Sequence, residues 1–205
     1  SGSSISSSTG KLNTILWADT DGNNDGRIGV VGTSGNTSKI TTNGGHLWMG
    51  GGSGTSTWNG LTVGDAYAAG TLGSPNYAGV MIHYAEVKTG FGDIWLKGET
   101  TRLNTTELGI LVYNSAVIET TSGNMRFDGR TATGAASAAQ YGMYVGFGSN
   151  LKTTDGAIDI TTTVRATTNS STSYGIYFSG GSITGGSGAV TVNASGGTGG
   201  SAYGV

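Results

Sequence analysis

One spacing recurs along the sequence and constrains every fold that this chain can adopt. Ile183 is followed five residues later by Gly188, and then by two apolar residues, Val190 and Val192, in alternation. The same frame starts at five earlier anchors, which are Ile5 (whose frame ends in threonine), Ile40, Val87, Ile118 and Leu151. The last three intervals between anchors are 31, 33 and 32 residues. A fixed period of this length is the signature of a repeat architecture.

The composition indicates the secondary structure of the repeat. Glycine supplies 40 of the 205 residues, whereas proline occurs once and charged residues make up only 11%. The strand formers Thr, Val, Ile and Tyr are common, while the helix formers Glu, Lys and Leu are scarce. Hydrophobic residues, at 35%, are too many and too regularly spaced for a flexible linker. We therefore expect an all-β protein with no significant helix.

Each repeat divides into three short strands. Residues 174–178 precede the anchor Ile183, and the third strand follows Gly188, which we expect to supply a turn conformation that residues with a Cβ resist. Alternation directs two stacked layers of side chains inward. These layers are Ile176, Phe178, Ile183, Val190 and Val192, and beneath them Met143, Val145, Leu151, Ile158 and Ile160. Strands stacked about 4.8 Å apart on their equivalents form a parallel β-helix, or β-solenoid.

The predicted solenoid has about three short strands per turn, about 32 residues per repeat and roughly six turns. It is a single unit over residues 1–205. The interval from Ile40 to Val87 is longer, at 47 residues, so residues 50–78 are predicted to form an excursion loop or a degenerate turn. Residues 203–205 open a further repeat, so we expect a segment of a longer repetitive chain.

The repeats resemble those of a known class of proteins. Residues 40–52 and 188–194 are similar to the repeats of filamentous-haemagglutinin-type exoproteins and other giant repetitive bacterial surface adhesins. The resemblance covers nearly the whole chain and includes no catalytic signature. It implies a right-handed parallel β-helix, secretion to the extracellular cell surface, and a structural and adhesive role in a filament. The implied partners are neighbouring repeats or copies of the same fibre, and surface glycans or proteins.

An acidic stretch in the first repeat is a candidate calcium site. Asp21, Asn23 and Asp25 alternate as in the first positions of a calcium-binding loop, and Asp19 adds another carboxylate. The glutamate expected at the twelfth position is absent, since Gly32 stands there. The alternative is a polar turn in which these side chains bond to their own backbone. Bound Ca²⁺ would stiffen the protein without taking part in catalysis, and no other cofactor is predicted.

Three tryptophans are candidates for a ligand or partner surface. Trp48 and Trp95 hold equivalent outward positions in the third strand, so we expect them on the same outer face. Together with Trp58 they would form an aromatic contact surface for a glycan or a protein. The alternative, which we favour, is that the 50–78 excursion folds over these tryptophans as a satellite core.

Two other columns of side chains follow from the repeat. One column comprises Ser7, Thr42, Thr89, Thr120 and Thr153, each two residues after an anchor. A flat threonine array is typical of ice-binding solenoids, but a column one residue wide favours a hydrogen-bonded turn ladder. The other column, Tyr144 and Tyr177, predicts a stacking ladder on a different face.

The sequence predicts no catalytic site. His46 and Asp93 hold equivalent positions where they could touch across neighbouring turns, but no Ser or Cys nucleophile lies nearby. The carboxylates are scattered, which argues against the alternative of a carbohydrate-active β-helix enzyme. With a net charge of −2 and no basic stripe, nucleic acid is not an expected partner. No apolar run is long enough to span a membrane, and the lack of cysteine excludes disulfides.

Overall fold

The anchors of the repeat pair directly with one another across the stack. Ile5 lies opposite Ile40 and Ile40 opposite Val87, while Ile118 lies opposite Leu151 and Leu151 opposite Ile183. The computed structural model describes residues 2–70, 77–101, 106–136, 138–169, 172–198 and 201–205. In these residues three strands make one coil, six coils stack as a parallel β-solenoid, and no helix is present. The predicted fold is therefore confirmed.

Three sheets run along the stack, one for each strand of a coil. The first sheet contains β1 (Ser4–Ser6), β4 (Ser38–Thr41), β9 (Ala85–Gly90), β12 (Val117–Thr120), β16 (Asn150–Thr153) and β20 (Ser182–Thr184). The second contains β2 (Thr14–Ala18), β5 (Leu47–Trp58), β10 (Ile94–Thr100), β13 (Met125–Arg130), β17 (Ile158–Thr163) and β21 (Val190–Ser195), with β6 (Leu61–Ala66) and β7 (Ala68–Gly70) joined to it. The third contains β3 (Ile28–Val31), β8 (Tyr77–His83), β11 (Glu107–Tyr113), β15 (Gln140–Gly146), β19 (Thr172–Ser179) and β22 (Ser201–Tyr203). A small pair, β14 (Gly134–Ala136) and β18 (Ala166–Asn169), lies between the second and third sheets in the chain.

The core is a continuous column of inward side chains. The predicted inner layer Met143, Val145, Leu151, Ile158 and Ile160 is fully buried. The layer above it is less covered, since Ile176 is buried but Phe178 and Ile183 only pack against the core from its margin. Burial of apolar area in such layers is the main stabilising term of the fold. As for membrane spans, the described part of the chain offers no helix that is long and apolar enough to be one.

The glycine before each third strand is required for a different reason from the one predicted. None of Gly92, Gly123 and Gly156 has a positive φ, so the expectation that they supply a special turn conformation is wrong. A Cβ added to Gly123 would instead lie 2.0 Å from the carbonyl oxygen of Gly92 in the adjacent coil. The same contact recurs at Gly156, 2.0 Å from the carbonyl oxygen of Gly123. Glycine is therefore needed so that successive backbones can approach closely.

The threonine column is internal. Thr42, Thr89 and Thr120 are buried, and each hydroxyl donates to the carbonyl oxygen of the glycine three residues later, at 2.5–2.6 Å. The hydroxyl of Thr120 also lies 3.0 Å from that of Thr153. The predicted hydrogen-bonded turn ladder is confirmed, and these threonines are not available as a flat surface for ice.

The long interval contains a β-hairpin inserted into one strand of the second sheet. Along β10, Leu96 pairs with Met49 of β5, but Gly98, two residues later, pairs with Ala68 of β7. After the hairpin, β7 therefore takes the place beside β10 that β5 occupied before it. Between these points β5 and β6 pair antiparallel, in contrast to every other strand pair of the three sheets.

Within the predicted excursion over residues 50–78, the part that leaves the solenoid is thus the paired hairpin of residues 51–66, and it is not a degenerate turn. Residues 71–76 of this excursion lie outside the described part of the chain. Residues 77 and 78 already belong to β8, in the regular third sheet. The hairpin lies on the second sheet, and it decides what that face can contact.

Candidate functional site: the tryptophan face of the second sheet

Trp48 and Trp95 share the outward column of the second sheet, as predicted. They are direct register partners on β5 and β10. Trp48 is nevertheless fully buried, because Trp17 packs edge-on against its ring at 6.2 Å and the hairpin lies over Trp17. Trp17 is itself fixed by a 2.7 Å bond from its Nε1 to the carbonyl oxygen of Gly52 in the hairpin. Trp48 therefore does not belong to an exposed contact surface, and for this residue the alternative favoured from the sequence, a satellite core beneath the excursion, is what the structure has.

Trp58 and Trp95 remain at the surface and contact each other. Their ring centroids are 5.9 Å apart with a tilt of 59°, and both side chains are half-buried. Trp58 also packs edge-on against His46 at 5.6 Å. The structure therefore brings together two of the three predicted tryptophans, with Trp58 supplied by the tip of the hairpin.

A buried lysine connects the hairpin to the sheet. The Nζ atom of Lys97 lies 3.0 Å from the carbonyl oxygen of Asp65 and about equally far from two rings, 5.1 Å from Tyr67 and 5.2 Å from Trp95. Burial lowers the pKa of Lys97 from its usual value. Burial likewise raises the pKa of the Tyr67 phenol, with Arg130 opposing it. The aromatic faces and the carbonyl oxygen replace part of the water that the ammonium loses.

Two arginines and one glutamate extend this contact. The Arg130 guanidinium lies 3.7 Å from the Tyr67 ring centroid and its Nη2 is 2.6 Å from Glu99. Arg165 binds the other carboxylate oxygen of Glu99. Because Glu99 is largely buried and is held by both cations, the three side chains fix each other across three coils. Sequence reasoning missed this cluster, since the position of Tyr67 depends on how the hairpin docks.

A ladder of side chains marks the corner between the first and second sheets. Asn13, His46, Asp93 and Asn124 hold equivalent positions, and each accepts a bond from the backbone N–H of the next coil, ending at Ala157. The four distances are 2.7–3.0 Å. The predicted contact between His46 and Asp93 is present, with Nδ1 and Oδ2 3.7 Å apart. His46 and Asp93 each accept a bond from a backbone N–H of the next coil, and the Asn59 amide nitrogen lies 3.2 Å from His46 Nδ1 and 2.6 Å from Asp93 Oδ2, so the pair is a structural link between coils and the hairpin.

An open groove of about 330 Å³ lies between this corner and the hairpin tip. Trp58 and Asn59 form one side of the groove. Asp93 and Asn124 lie along its base, where the Asn59 amide donates to Asp93 at 2.6 Å. The opposite side carries Arg126 and Asp159, which point outward from neighbouring strands.

Arg126 and Asp159 do not form an ion pair, although they are register partners. The Arg126 guanidinium lies 4.6 Å from the Trp95 ring centroid, and its Nε is 3.0 Å from Asp128. Asp128 also accepts a 2.6 Å bond from the indole of Trp95. The Asp159 carboxylate therefore has no hydrogen bond or ion pair with any residue that the structure describes.

The acidic loop joins β2 to β3 at a different corner. Carboxylate oxygens of Asp19, Asp21 and Asp25 lie within 4.8 Å of one another. The loop also makes the bonds of a polar turn: Asp19 accepts from the Asn24 N–H at 2.8 Å, and Asn23 accepts from the Asp25 N–H at 3.1 Å. Three converging oxygen ligands fit a hard cation such as Ca²⁺. The turn is thus present, and calcium binding stays a prediction.

The third sheet carries tyrosines on its outer face. Tyr144 and Tyr177 form the predicted column, but their rings are tilted by 57° at 5.3 Å. The stacked ladder with nearly parallel rings consists of Tyr141, Tyr174 and Tyr203. Its ring centroids are 5.6 and 5.0 Å apart, and the angles between the ring planes are 2° and 15°. The Tyr-Gly dipeptides at residues 141–142, 174–175 and 203–204 were the available signal for this ladder.

Comparison with known proteins gives no relative for the chain: no family model, no curated protein and no solved structure matches it. Function must therefore be inferred from the fold and from the geometry of the three outer faces. Of these faces, only that of the second sheet combines aromatic, amide and carboxylate side chains around a groove in the described residues.

Proposed function

We propose that this chain is a structural and adhesive segment of an extracellular bacterial surface fibre, of the filamentous-haemagglutinin type that its repeats resemble. The observation that carries the proposal is the uniform stacking of six coils on one continuous core. In a solenoid each coil contacts its neighbours, so length is gained by adding coils without a new fold. Such a protein acts through its length, its rigidity and the side chains on its outer faces.

The charged side chains on the outer face of the first sheet also support the proposal, because they suit the solvent-exposed side of a fibre. Lysine and glutamate alternate across four coils in the order Lys39, Glu86, Lys88, Glu119 and Lys152, at distances of 3.3–3.9 Å. These pairs are exposed and each contributes only about 0–1 kcal/mol. Because three lysines and two glutamates interleave, the row forms neither a strongly basic nor an acidic patch, as expected for the side of a fibre in water.

The proposal predicts that the segment is displayed outside the cell. Antibodies raised against it should label intact cells of the bacterium that produces it, and brief treatment with a protease should remove the label. Antibodies against a cytosolic protein, used in parallel, should label only lysed cells. Labelling that requires lysis would contradict the fibre proposal.

A carbohydrate-cleaving enzyme is the alternative function, and the groove supports it less well. Such enzymes use two carboxylates with complementary roles. Here Asp93 accepts bonds from Asn59 and from the Asn124 N–H, so that among the described residues of the groove only Asp159 is free. We expect no release of reducing ends from polysaccharides. Sustained release that Asp159→Asn abolishes would establish an enzyme instead.

A further inference from the structure

The groove beside the hairpin tip has one tryptophan that differs from the other three. The indole N–H of Trp17 is bonded to Gly52 and that of Trp95 to Asp128, while Trp48 is fully buried. The indole N–H of Trp58 has no acceptor among the described residues and is not enclosed. Trp58 is therefore the tryptophan that can offer both a ring face and a donor to a ligand.

The ring of Trp58 is held in place before any ligand arrives. Trp95 packs on it at 5.9 Å and His46 at 5.6 Å, while its neighbour Asn59 is bonded to Asp93. Fixing an aromatic side chain in advance lowers the entropy lost on binding. A rigid, half-buried indole at the edge of an open groove is suited to stacking on an apolar ligand face.

Polar groups around this ring retain hydrogen-bonding capacity. The Asp159 carboxylate is unpaired because Arg126 is turned toward Asp128 and Trp95. Asn59 uses its amide nitrogen, which leaves its carbonyl oxygen available, and Asn124 uses its carbonyl oxygen, which leaves its amide nitrogen available. The groove thus offers one charged acceptor, one neutral acceptor and two donors, counting the indole.

We infer that this groove binds a neutral hexopyranose unit of a glycan, with the apolar face of the sugar on Trp58 and its hydroxyls bonded to Asp159, Asn59 and Asn124. A pyranose ring has an apolar C–H face and a rim of hydroxyls that both donate and accept, which matches this set. The unpaired Asp159 carboxylate repels anionic sugars such as uronic acids. Arg126 does not offset this repulsion, since Asp128 already neutralises it.

This inference names the ligand class of the proposed adhesive function, but binding in solution does not require a fibre. If the segment binds sugar and is not displayed on cells, the fibre proposal fails and the groove assignment stands. If the segment is displayed and binds no sugar, the groove assignment fails and the structural role stands.

The test is calorimetric titration of the chain with two matched panels of oligosaccharides. One panel contains neutral hexoses and N-acetylhexosamines, and the other contains the corresponding uronic acids. We expect at least one neutral oligosaccharide to bind and its uronic acid counterpart to bind at least about ten-fold more weakly. Asp159→Asn should weaken neutral binding by about ten-fold, the loss typical of a hydrogen bond to a charged group.

Variants distinguish a loss of sugar binding in the groove from a loss of folding. Trp58→Phe keeps a ring and removes the N–H, so it should weaken binding partially, while Trp58→Ala should abolish it. A change at Trp58 also removes its contact with Trp95. Asp159→Asn is therefore the decisive variant, because the Asp159 carboxylate makes no hydrogen bond or ion pair within the described chain. Glu119→Gln on the first sheet is the matched control and should bind normally.

The groove assignment would be overturned by any of three results. These are no binding across the neutral panel, equal or tighter binding of the uronic acids, and unchanged affinity in Asp159→Asn and Trp58→Ala. Circular dichroism of each variant confirms that the β-solenoid is retained.

Discussion

Trp48 and Trp95 are direct partners on neighbouring strands, yet Trp48 is fully buried while Trp95 reaches the surface. The difference arises because β5 continues into a hairpin that lies over Trp17, which in turn packs on Trp48, whereas β10 has no such extension. The same column of the repeat therefore supplies a core residue in one coil and a surface residue in the next.

Replacing Trp48 should destabilise the protein strongly. Trp48→Ala is expected to lower the free energy of unfolding by about 3–5 kcal/mol, as is typical of a large buried aromatic residue. Trp48→Phe should cost much less, because it keeps a ring and removes an indole N–H that has no partner among the described residues. Urea denaturation measures both, with Phe91→Ala, at a site 72% exposed, as the control. Equal losses in Trp48→Ala and the control would contradict the burial of Trp48.

The close approach of the coils predicts that Gly123→Ala is poorly tolerated. Its Cβ would meet the carbonyl oxygen of Gly92 at 2.0 Å, so the two coils must separate and lose backbone hydrogen bonds. We expect a loss of about 3 kcal/mol or more in thermal or urea unfolding. Gly10→Ala, where no atom lies within 4 Å of the new Cβ, should change stability by less than about 1 kcal/mol. A mild effect at both positions would show that the coils do not approach as closely as described.

The acidic loop predicts stabilisation by calcium. Addition of Ca²⁺ should raise the melting temperature of the chain, because a ligand that binds only the folded state stabilises it by about 2.7 kcal/mol at a hundred times its Kd. Asp21→Asn and Asp25→Asn should each remove the effect, and Asp155→Asn should not. If millimolar Ca²⁺ leaves the melting temperature unchanged, the loop is a polar turn alone.

Two half-buried phenols predict a loss of stability at high pH. Burial raises the pKa of Tyr67 and of Tyr141 above the usual value of 10.0. Above pH 10 the unfolded chain loses these protons first, so stability is retained below that pH and falls as pH rises through the raised values. Burial lowers the pKa of Lys97, so this residue has the opposite effect: it makes stability increase with pH between its lowered pKa and the usual value of 10.5.

Denaturant unfolding between pH 9 and pH 12, together with the ultraviolet absorbance of phenolate, measures this effect. The double variant Tyr67→Phe and Tyr141→Phe should flatten the decline. Tyr203→Phe, at an exposed tyrosine, should leave the decline as it is. A decline that the double variant does not reduce would assign the effect to other groups.

The regular part of the fold could be predicted because period-two alternation and a constant repeat length fix which side chains face inward. Ile118 and Leu151 were identified from spacing alone and are fully buried register partners. The role of Gly123 was not predictable in the same way. A glycine at a corner suggests a special backbone angle, whereas the actual constraint is a carbonyl oxygen one coil away.

The candidate site was less predictable, because its form depends on contacts between residues far apart in the sequence. Trp58 and Trp95 could be named from the sequence, and the folding of the excursion over Trp48 was the favoured alternative, but the contacts that dock the hairpin through Tyr67 and Lys97 could not be predicted. One signal was available and missed. Arg126 and Asp128 lie two residues apart on one face of a strand, which is the spacing of an internal ion pair.

The corner ladder that ends at Ala157 has a mechanical consequence. A force that peels one coil from the next must break a side-chain bond as well as backbone bonds at each boundary from Asn13 to Asn124. At the next boundary Ala157 has no side-chain acceptor, and the side-chain bonds there come instead from Ser187 to Asp155 and from Thr198 to the carbonyl oxygens of Ala166 and Thr167. Under tension along the chain this corner therefore lacks a bond that each earlier boundary of the ladder has, and it should open before the corners that the ladder spans.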